Sequence, residues 1–503
     1  MKKIRFILLI LIFTGRIFAQ IPEWYFYHLD NNIFKTNENK ILNTIKTEDF
    51  LLVKEKRIIQ NDLSYAEILY GVFENFKANL TIARESENKG YIISYLREKM
   101  NSYNINSKKV YNSAFGIDSL ETGINYSPQQ EILLNLNFMY KYFTKGMLLN
   151  PIYDAQNKWQ ISILPEFKYF FSENSIFSAN IDYNKLNLEF ESSASSYNVN
   201  INSIKSIITY EKVWSEINAL SFNFIILQYT LKYSGSHILN NIGIFNIEDK
   251  FALSKKTVIN IGAGFNINKR YSPIFSPLLQ LYFILKPINI ILEAKKGYNV
   301  EYCKNLLLEN YFVKINKHFP PEIETAYSVG INFKIVKNLS LNIKAGYHTI
   351  ENMPALYEDI DNLFYVDNIN LNEVKISTDI DFTPINFLSL KLFYENIPYI
   401  KSQYKKIPYL SRNNTKASVG VNLSDFRFLT QVQYSDIRDY INAQGISKPL
   451  KSFIFVNFEV LYLFTQNFGI KVEGDNIVDT GYIKIANYPE AEKIYRFGLY
   501  TKF

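Results

Sequence analysis

Cysteine, histidine and tryptophan are scarce in this 503-residue chain, and long apolar runs are missing. Cys303 is the single cysteine, so no intramolecular disulfide can form. It also lies far from the N-terminal apolar segment, which removes a lipid anchor there. The four histidines, His28, His237, His318 and His348, are far apart, and none forms a ligand-spaced pair. No metal or cofactor is therefore expected. Three tryptophans, Trp24, Trp159 and Trp214, are too few for an aromatic girdle, a role that falls to Tyr and Phe near strand ends, such as Tyr347 and Tyr394. No stretch reaches the roughly 18–20 apolar residues of a spanning helix. The net charge of +7 falls to +3 once the four cations of the N-terminal segment are set aside, too small to indicate a nucleic-acid or acidic partner. Hydrophobic residues nevertheless make up 47% of the chain and aromatics 16%. An apolar content of that size without long runs suits alternation along strands.

The first residues read as an export leader. Lys2, Lys3 and Arg5 form a positive start, Phe6 to Phe13 an apolar core, and Thr14 to Ala19 a cleavage region. Residues 1–19 are thus expected to be a signal peptide, 20–64 a short periplasmic segment, and 65–503 a barrel domain. The leader carries Lys2, Lys3, Arg5 and Arg16, so the exported chain would have a charge of +7 − 4 = +3.

Period-two patterning dominates the rest of the chain. Phe468, Ile470 and Val472 alternate with Gly469, Lys471, Glu473 and Asp475. Leu388, Leu390, Leu392 and Tyr394 oppose Ser389, Lys391, Phe393 and Glu395. Leu339, Leu341, Ile343, Ala345 and Tyr347 oppose Ser340, Asn342, Lys344, Gly346 and His348. Ile259, Ile261, Ala263, Phe265 and Ile267 oppose Asn260, Gly262, Gly264 and Asn266. Each stretch approaches the roughly 9–11 residues that a tilted strand needs to cross a bilayer.

Connection lengths separate a membrane barrel from a soluble sandwich. Short turns are expected at Ser127–Gln130, Ser172–Asn174, Ser254–Lys256, Lys286–Pro287, Val336–Asn338, Thr383–Asn386, Ser424–Asp425 and Thr465–Asn467. Longer stretches lie between them: Asn101–Phe115, Phe143–Lys158, Asn299–Glu322, Glu351–Asn370, Ile397–Asn413, Arg438–Leu450 and Asp479–Glu492. Tight turns on one side and long loops on the other mark outer-membrane barrels. The fold expected is all-β, a transmembrane up-and-down antiparallel barrel of about 20–22 strands, because only a closed sheet pairs every backbone group in hydrocarbon.

The last strand ends in Phe503, with Thr501, Leu499, Phe497 and Tyr495 on one face and Lys502, Tyr500, Gly498 and Arg496 on the other. An aromatic terminus on an alternating apolar strand is the pattern presented to the barrel-assembly machinery. Thr501 departs from it, an aromatic being more usual there.

Asp475-Asn476-Ile477-Val478-Asp479, then Tyr482, Tyr488-Pro489 and Arg496-Phe497-Gly498-Leu499, resembles the closing hairpin of the TonB-dependent receptor barrel. Pro321-Glu322 followed by Val329-Gly330 is similar to the segment that opens a late strand there, with Ser328 in place of a glutamate. Glu492-Lys493 also departs from the Gly-Arg usual in that family. The resemblance implies uptake or passage of solutes across the bacterial outer membrane. Beyond membrane lipid and the assembly machinery, it implies an energising inner-membrane complex as a partner. The segment from Gln20 to Ser64 is shorter than the family's plug, so it is expected to be a tail, a lumen-filling stub or a plug remnant, and a separate plug protein is a further candidate partner.

Two other functions stay open on the residues alone, a passive pore and a structural or adhesive barrel binding through its outer loops. No catalytic set is visible, so an enzyme is not expected. His348 faces the lumen alone, and lumen carboxylates gathered around it would be needed to revive catalysis. Asp359 and Asp361 read as a solvated acidic loop. Lumen-facing Lys344, Lys391, Glu395, Lys471, Glu473 and Asp475 mix both signs and indicate no ion preference.

Overall fold

The computed structural model describes residues 64–503 except 87, 102–103, 106–107, 110–113, 130, 147–154, 173, 192–195, 216–217, 234–235, 255, 269–270, 286, 300–312, 315–319, 337, 359–363, 403–405, 479–482, 486–487 and 490–492. The expected leader, the 20–63 segment, Cys303, His318, Asp359 and Asp361 lie outside these residues.

Twenty-two antiparallel strands, each paired with its neighbour in sequence, close into one barrel. The closing seam joins the last strand, Ile494–Lys502, to the first, Tyr65–Gly71, in register from Tyr65↔Lys502 to Gly71↔Arg496. Closure leaves no open edge, as a strand in hydrocarbon requires.

The alternation read from the sequence sets which way each side chain points, since a slip of one residue would invert every strand. In Ile494–Lys502, Tyr495, Phe497 and Leu499 face outward, with Phe497 56% exposed, while Arg496 is buried on the lumen side. Ile261, Phe265 and Ile267 face out on Thr257–Asn268, opposite buried Asn260 and Asn266. Large apolar side chains exposed around the whole wall would aggregate in water, so the wall is one that faces lipid. Tyr126, Phe171, Trp214, Phe387, Phe464 and Phe503 are exposed beside the short turns or the chain end, forming an aromatic belt at that rim.

The short turns fall close to where expected, although Phe364–Ile385 runs on through Thr383 and moves that turn to Asn386 and Phe387, and several begin with a hydroxyl that accepts a backbone N–H two residues on. Ser172 accepts from Asn174 (3.3 Å), Ser254 from Lys256 (3.1 Å) and Thr465 from Asn467 (3.3 Å).

Several of the longer connections differ from expectation. Phe143–Lys158 is strand at both ends, taken up by Ile132–Gly146 and Ala155–Ser172. Ile397–Asn413 is shortened because Leu388–Ser402 continues past a bulge near Ile397. Glu351–Asn370 is mostly a protruding hairpin made by Leu339–Glu358 and Phe364–Ile385. A register shift between Ile350 and Met353 accommodates Asn352, whose φ of 60° lies in the left-handed region and whose N–H donates to Asn370 Oδ1 at 2.9 Å. Beyond that bulge, Ala355, Tyr357, Ile369 and Leu371 form a small core, with Ile407 and Ile441 of neighbouring connections packed on it. Each such buried aliphatic side chain contributes about 1.5–3 kcal/mol, enough to extend strands into a stretch that lacks clean alternation. Arg438–Leu450 carries its own hairpin, Arg438–Ile441 with Ser447–Leu450.

Candidate functional site

The polar wall of the lumen gathers most of the buried charge. Its densest part crosses the seam, where the first two strands, Tyr65–Gly71 and Asn75–Glu85, meet Phe468–Asp475 and Ile494–Lys502. Lys471 Nζ lies 2.6 Å from Glu67, 2.9 Å from Glu473 and 3.5 Å from Glu459. Lys77 Nζ donates to Glu473 at 2.9 Å and lies 3.7 Å from Glu67. Arg496 donates to Asn75 Oδ1 (2.7 Å), Asp475 (2.6 Å) and Glu473 (3.4 Å), and pairs with Glu98 on the third strand, Lys89–Met100. Three cations thus face five carboxylates, Glu67, Glu98, Glu459, Glu473 and Asp475. Buried charges persist only when paired and hydrogen-bonded, which this cluster achieves by giving every acid a cation and sharing Glu67 between two and Glu473 among three.

A second polar run circles the opposite wall. Asn260 donates to Gln280 (3.0 Å) and Gln280 to Glu293 (2.7 Å). Glu293 also meets Lys295 (3.2 Å) and Lys344 (3.4 Å), and lies 3.5 Å from the Ser328 hydroxyl. Ser328, the residue that replaces a glutamate in the family-like segment, is therefore part of this lining. Farther round, His348 Nδ1 lies 2.6 Å from Glu324, and Lys375 lies 2.6 Å from Glu395. Glu373, the register partner of His348, is buried beside them. Carboxylates do gather at His348, but among the described residues no hydroxyl or thiol is hydrogen-bonded to its ring, so the set lacks the nucleophile of an acyl-transfer triad. No group of three metal-ligating side chains occurs among the described residues.

The lumen-facing residues named from the sequence, Lys344, Lys391, Glu395, Lys471, Glu473 and Asp475, all stand on the inner wall. Two residues of the family-like hairpin have clear local reasons. Asn476 ends its strand in the left-handed region (φ 50°), which Asn tolerates better than most residues, and its N–H donates to Asn457 Oδ1 at 3.0 Å. At Gly498 a Cβ would lie 1.8 Å from the Ile68 carbonyl oxygen, so only glycine lets the seam close. Asp475, also of this hairpin, is held by Arg496. Tyr488-Pro489 pairs with Ile483–Ile485 as a short hairpin, while Asp479 and Tyr482 lie outside the described residues. Phe503 ends the wall, its N–H donating to Ser64 O at 3.1 Å.

Sequence reasoning did not group Glu67, Lys77 and Glu98 with the C-terminal charges. Lys77 and Glu473 are 396 positions apart, and Glu67 and Lys471 are 404 apart. Inward charge on the first and last strands, once closure is assumed, was the signal that could have found them.

The outer end is tied by polar contacts as well. Asp439 accepts from Lys406 Nζ (2.6 Å) and Ser447 (2.9 Å). Asp436 accepts from Asn413 Nδ2 (2.8 Å) and the Ile437 N–H (2.7 Å), and these bonds hold its carboxyl below the usual range.

The barrel superposes on solved transport proteins. The FrpB iron transporter from Neisseria meningitidis (F5-1 variant) aligns with a TM-score of 0.70 at 11% identity, covering 91% of this chain and 84% of that one. The siderophore receptor PirA from Acinetobacter baumannii gives 0.69 at 9% identity, with 89% and 81% covered. The ferric-catecholate import receptor Fiu from E. coli K12 gives 0.69 at 8% identity, with 88% and 82% covered. At these identities the likeness is one of fold, the 22-strand barrel of TonB-dependent receptors. No protein-family model and no curated protein matches the sequence.

Proposed function

We propose that this chain is a bacterial outer-membrane barrel that takes up solutes, working with an energising inner-membrane partner of the TonB type. The observation that carries the reading is a closed 22-strand wall, apolar outside and polar inside, of the size and shape used by iron and siderophore transporters. Its residues fit passage and binding better than catalysis, since His348 has an acid partner and, among the described residues, no hydroxyl or thiol bonded to its ring. The C-terminal strand, with Tyr495, Phe497, Leu499 and Phe503 outward or terminal, is read as the segment that engages the assembly machinery. The test is uptake of radiolabelled ferric chelates by cells with and without the gene, before and after the proton gradient is collapsed. Gene-dependent uptake that stops with the gradient supports the proposal, and uptake indifferent to the gene refutes it for that substrate class.

A passive pore is the second reading, favoured by the lumen pair Lys391–Asp381, whose side chains are 67% and 54% exposed and so border water. Gene-dependent passage that survives loss of the gradient would select it. A structural or adhesive role through the outer loops is the third, favoured by the ordered core on the protruding hairpin. Binding without passage would select that one.

A further inference from the structure

On the lipid-facing wall, in the half next to their short turns, the strands Ser196–Ser215, Asn218–Tyr233 and Ser236–Ser254 carry two charges among apolar neighbours, Lys212 and Asp249, while Lys232 stands at the far end. Lys212 pairs in register with Leu220, and Leu220 with Asp249, so the three stand in one row across adjacent strands. All three point outward. Glu248, one residue before Asp249, bonds Asn260 on the inner wall at 3.4 Å, and Ile261, the other register partner of Asp249, is an exposed outer residue. Lys212 Nζ sits 3.8 Å from the centre of the Trp214 ring, which is itself exposed on the outside.

Asp249 has no hydrogen bond or ion pair among the described residues, and its Oδ1 is buried against the wall without a partner. An unpaired carboxylate on the lipid-facing wall near the aromatic belt carries a cost that a cation brought from outside the barrel would offset. Lys212 does not supply it, being turned onto Trp214 with Leu220 between the two charges. A two-fold axis near Leu220 would supply it. A second copy so placed sets its Lys212 against Asp249 and its Asp249 against Lys212, with the apolar Leu220, Phe222 and Phe224 in the middle. Such a self-complementary patch is what an isologous dimer requires.

We propose that the barrel forms a homodimer in the membrane through this face, held by reciprocal Lys212–Asp249 pairs.

Full-length protein carrying Leu220→Cys in a Cys303→Ser background tests contact by oxidative cross-linking in native membranes, with Ile331→Cys on a distant outer strand as control. Native mass spectrometry of detergent-extracted protein reads the dimer fraction. A cross-linked pair of identical chains at position 220 and not at 331 is expected. Asp249→Lys and Lys212→Asp should each lower the dimer fraction at least about tenfold by placing like charges together, and the double exchange Lys212→Asp/Asp249→Lys should restore it. Faster migration of unheated samples on gels confirms that each variant is folded. Absence of the cross-link, a cross-link to a different protein, or a double exchange that fails to restore the dimer overturns the proposal.

Discussion

Replacing Arg496 with Met removes the one guanidinium of the seam cluster while keeping the side-chain bulk. Arg496 is 5% exposed and bonds residues on the second, third and last-but-one strands. In Arg496→Met, Glu473 retains Lys77 and Lys471, but Glu98 and Asp475 lose the cation that offsets them. Removing one partner of a buried ion pair costs about 3–5 kcal/mol. The lower end, about 3 kcal/mol, applies here because Asp475 is 29% exposed and can recover water. Urea unfolding of the barrel in lipid vesicles, followed by the loss of the fast-migrating folded band, gives the free-energy change. Lys391→Met at the solvated Lys391–Asp381 pair is the control, and its cost should stay within about 1 kcal/mol. Adding Glu98→Gln and Asp475→Asn to Arg496→Met should recover part of the loss, since the unpaired acids are then neutral. If Arg496→Met and Lys391→Met shift stability equally, the buried seam network does not hold the barrel shut and the reasoning fails.

Three other outcomes are expected from the wall. Gly498→Val places a Cβ against the Ile68 carbonyl, a backbone atom that no rotamer change can move aside, so refolding yields should fall to a small fraction of wild type on unheated gels. Val329→Arg puts a charge on the lipid face and should cost about 2–4 kcal/mol in vesicle unfolding, whereas Asn332→Arg on the inner face should cost much less; equal costs would contradict the assigned facing. Deleting Phe503 should reduce the assembled protein in cells severalfold yet leave refolding of the purified chain nearly unchanged, and an equal loss in both would remove the assembly-signal reading.

Most of the wall was legible because a lipid-facing sheet imposes a period of two that the residues cannot hide. Leu339 to His348 and Phe468 to Asp475 point as their alternation indicates. Short turns were legible for a similar local reason, the serine or threonine that caps them. What was not legible depends on distant partners. The extended strands through Met353–Glu358 and Phe364–Asn370 look like loop because their apolar residues serve a small outer core, not the bilayer. The seam cluster escaped notice because Glu67 and Lys471 meet only after the chain has gone fully round. Asp249 reads in sequence as one acid in an ordinary Glu248-Asp249-Lys250 run, and only register shows that the middle residue alone faces out.

The claim on which everything else rests is that the wall separates lipid from a polar lumen, strand by strand. Single cysteines placed along Leu388–Ser402 in a Cys303→Ser background, probed with a charged maleimide in isolated membranes, test it most directly. Labelling should alternate, with Ser389, Lys391 and Glu395 modified and Leu390, Leu392 and Tyr394 protected. Uniform labelling along the strand, or the opposite alternation, would contradict a barrel with this inside and outside.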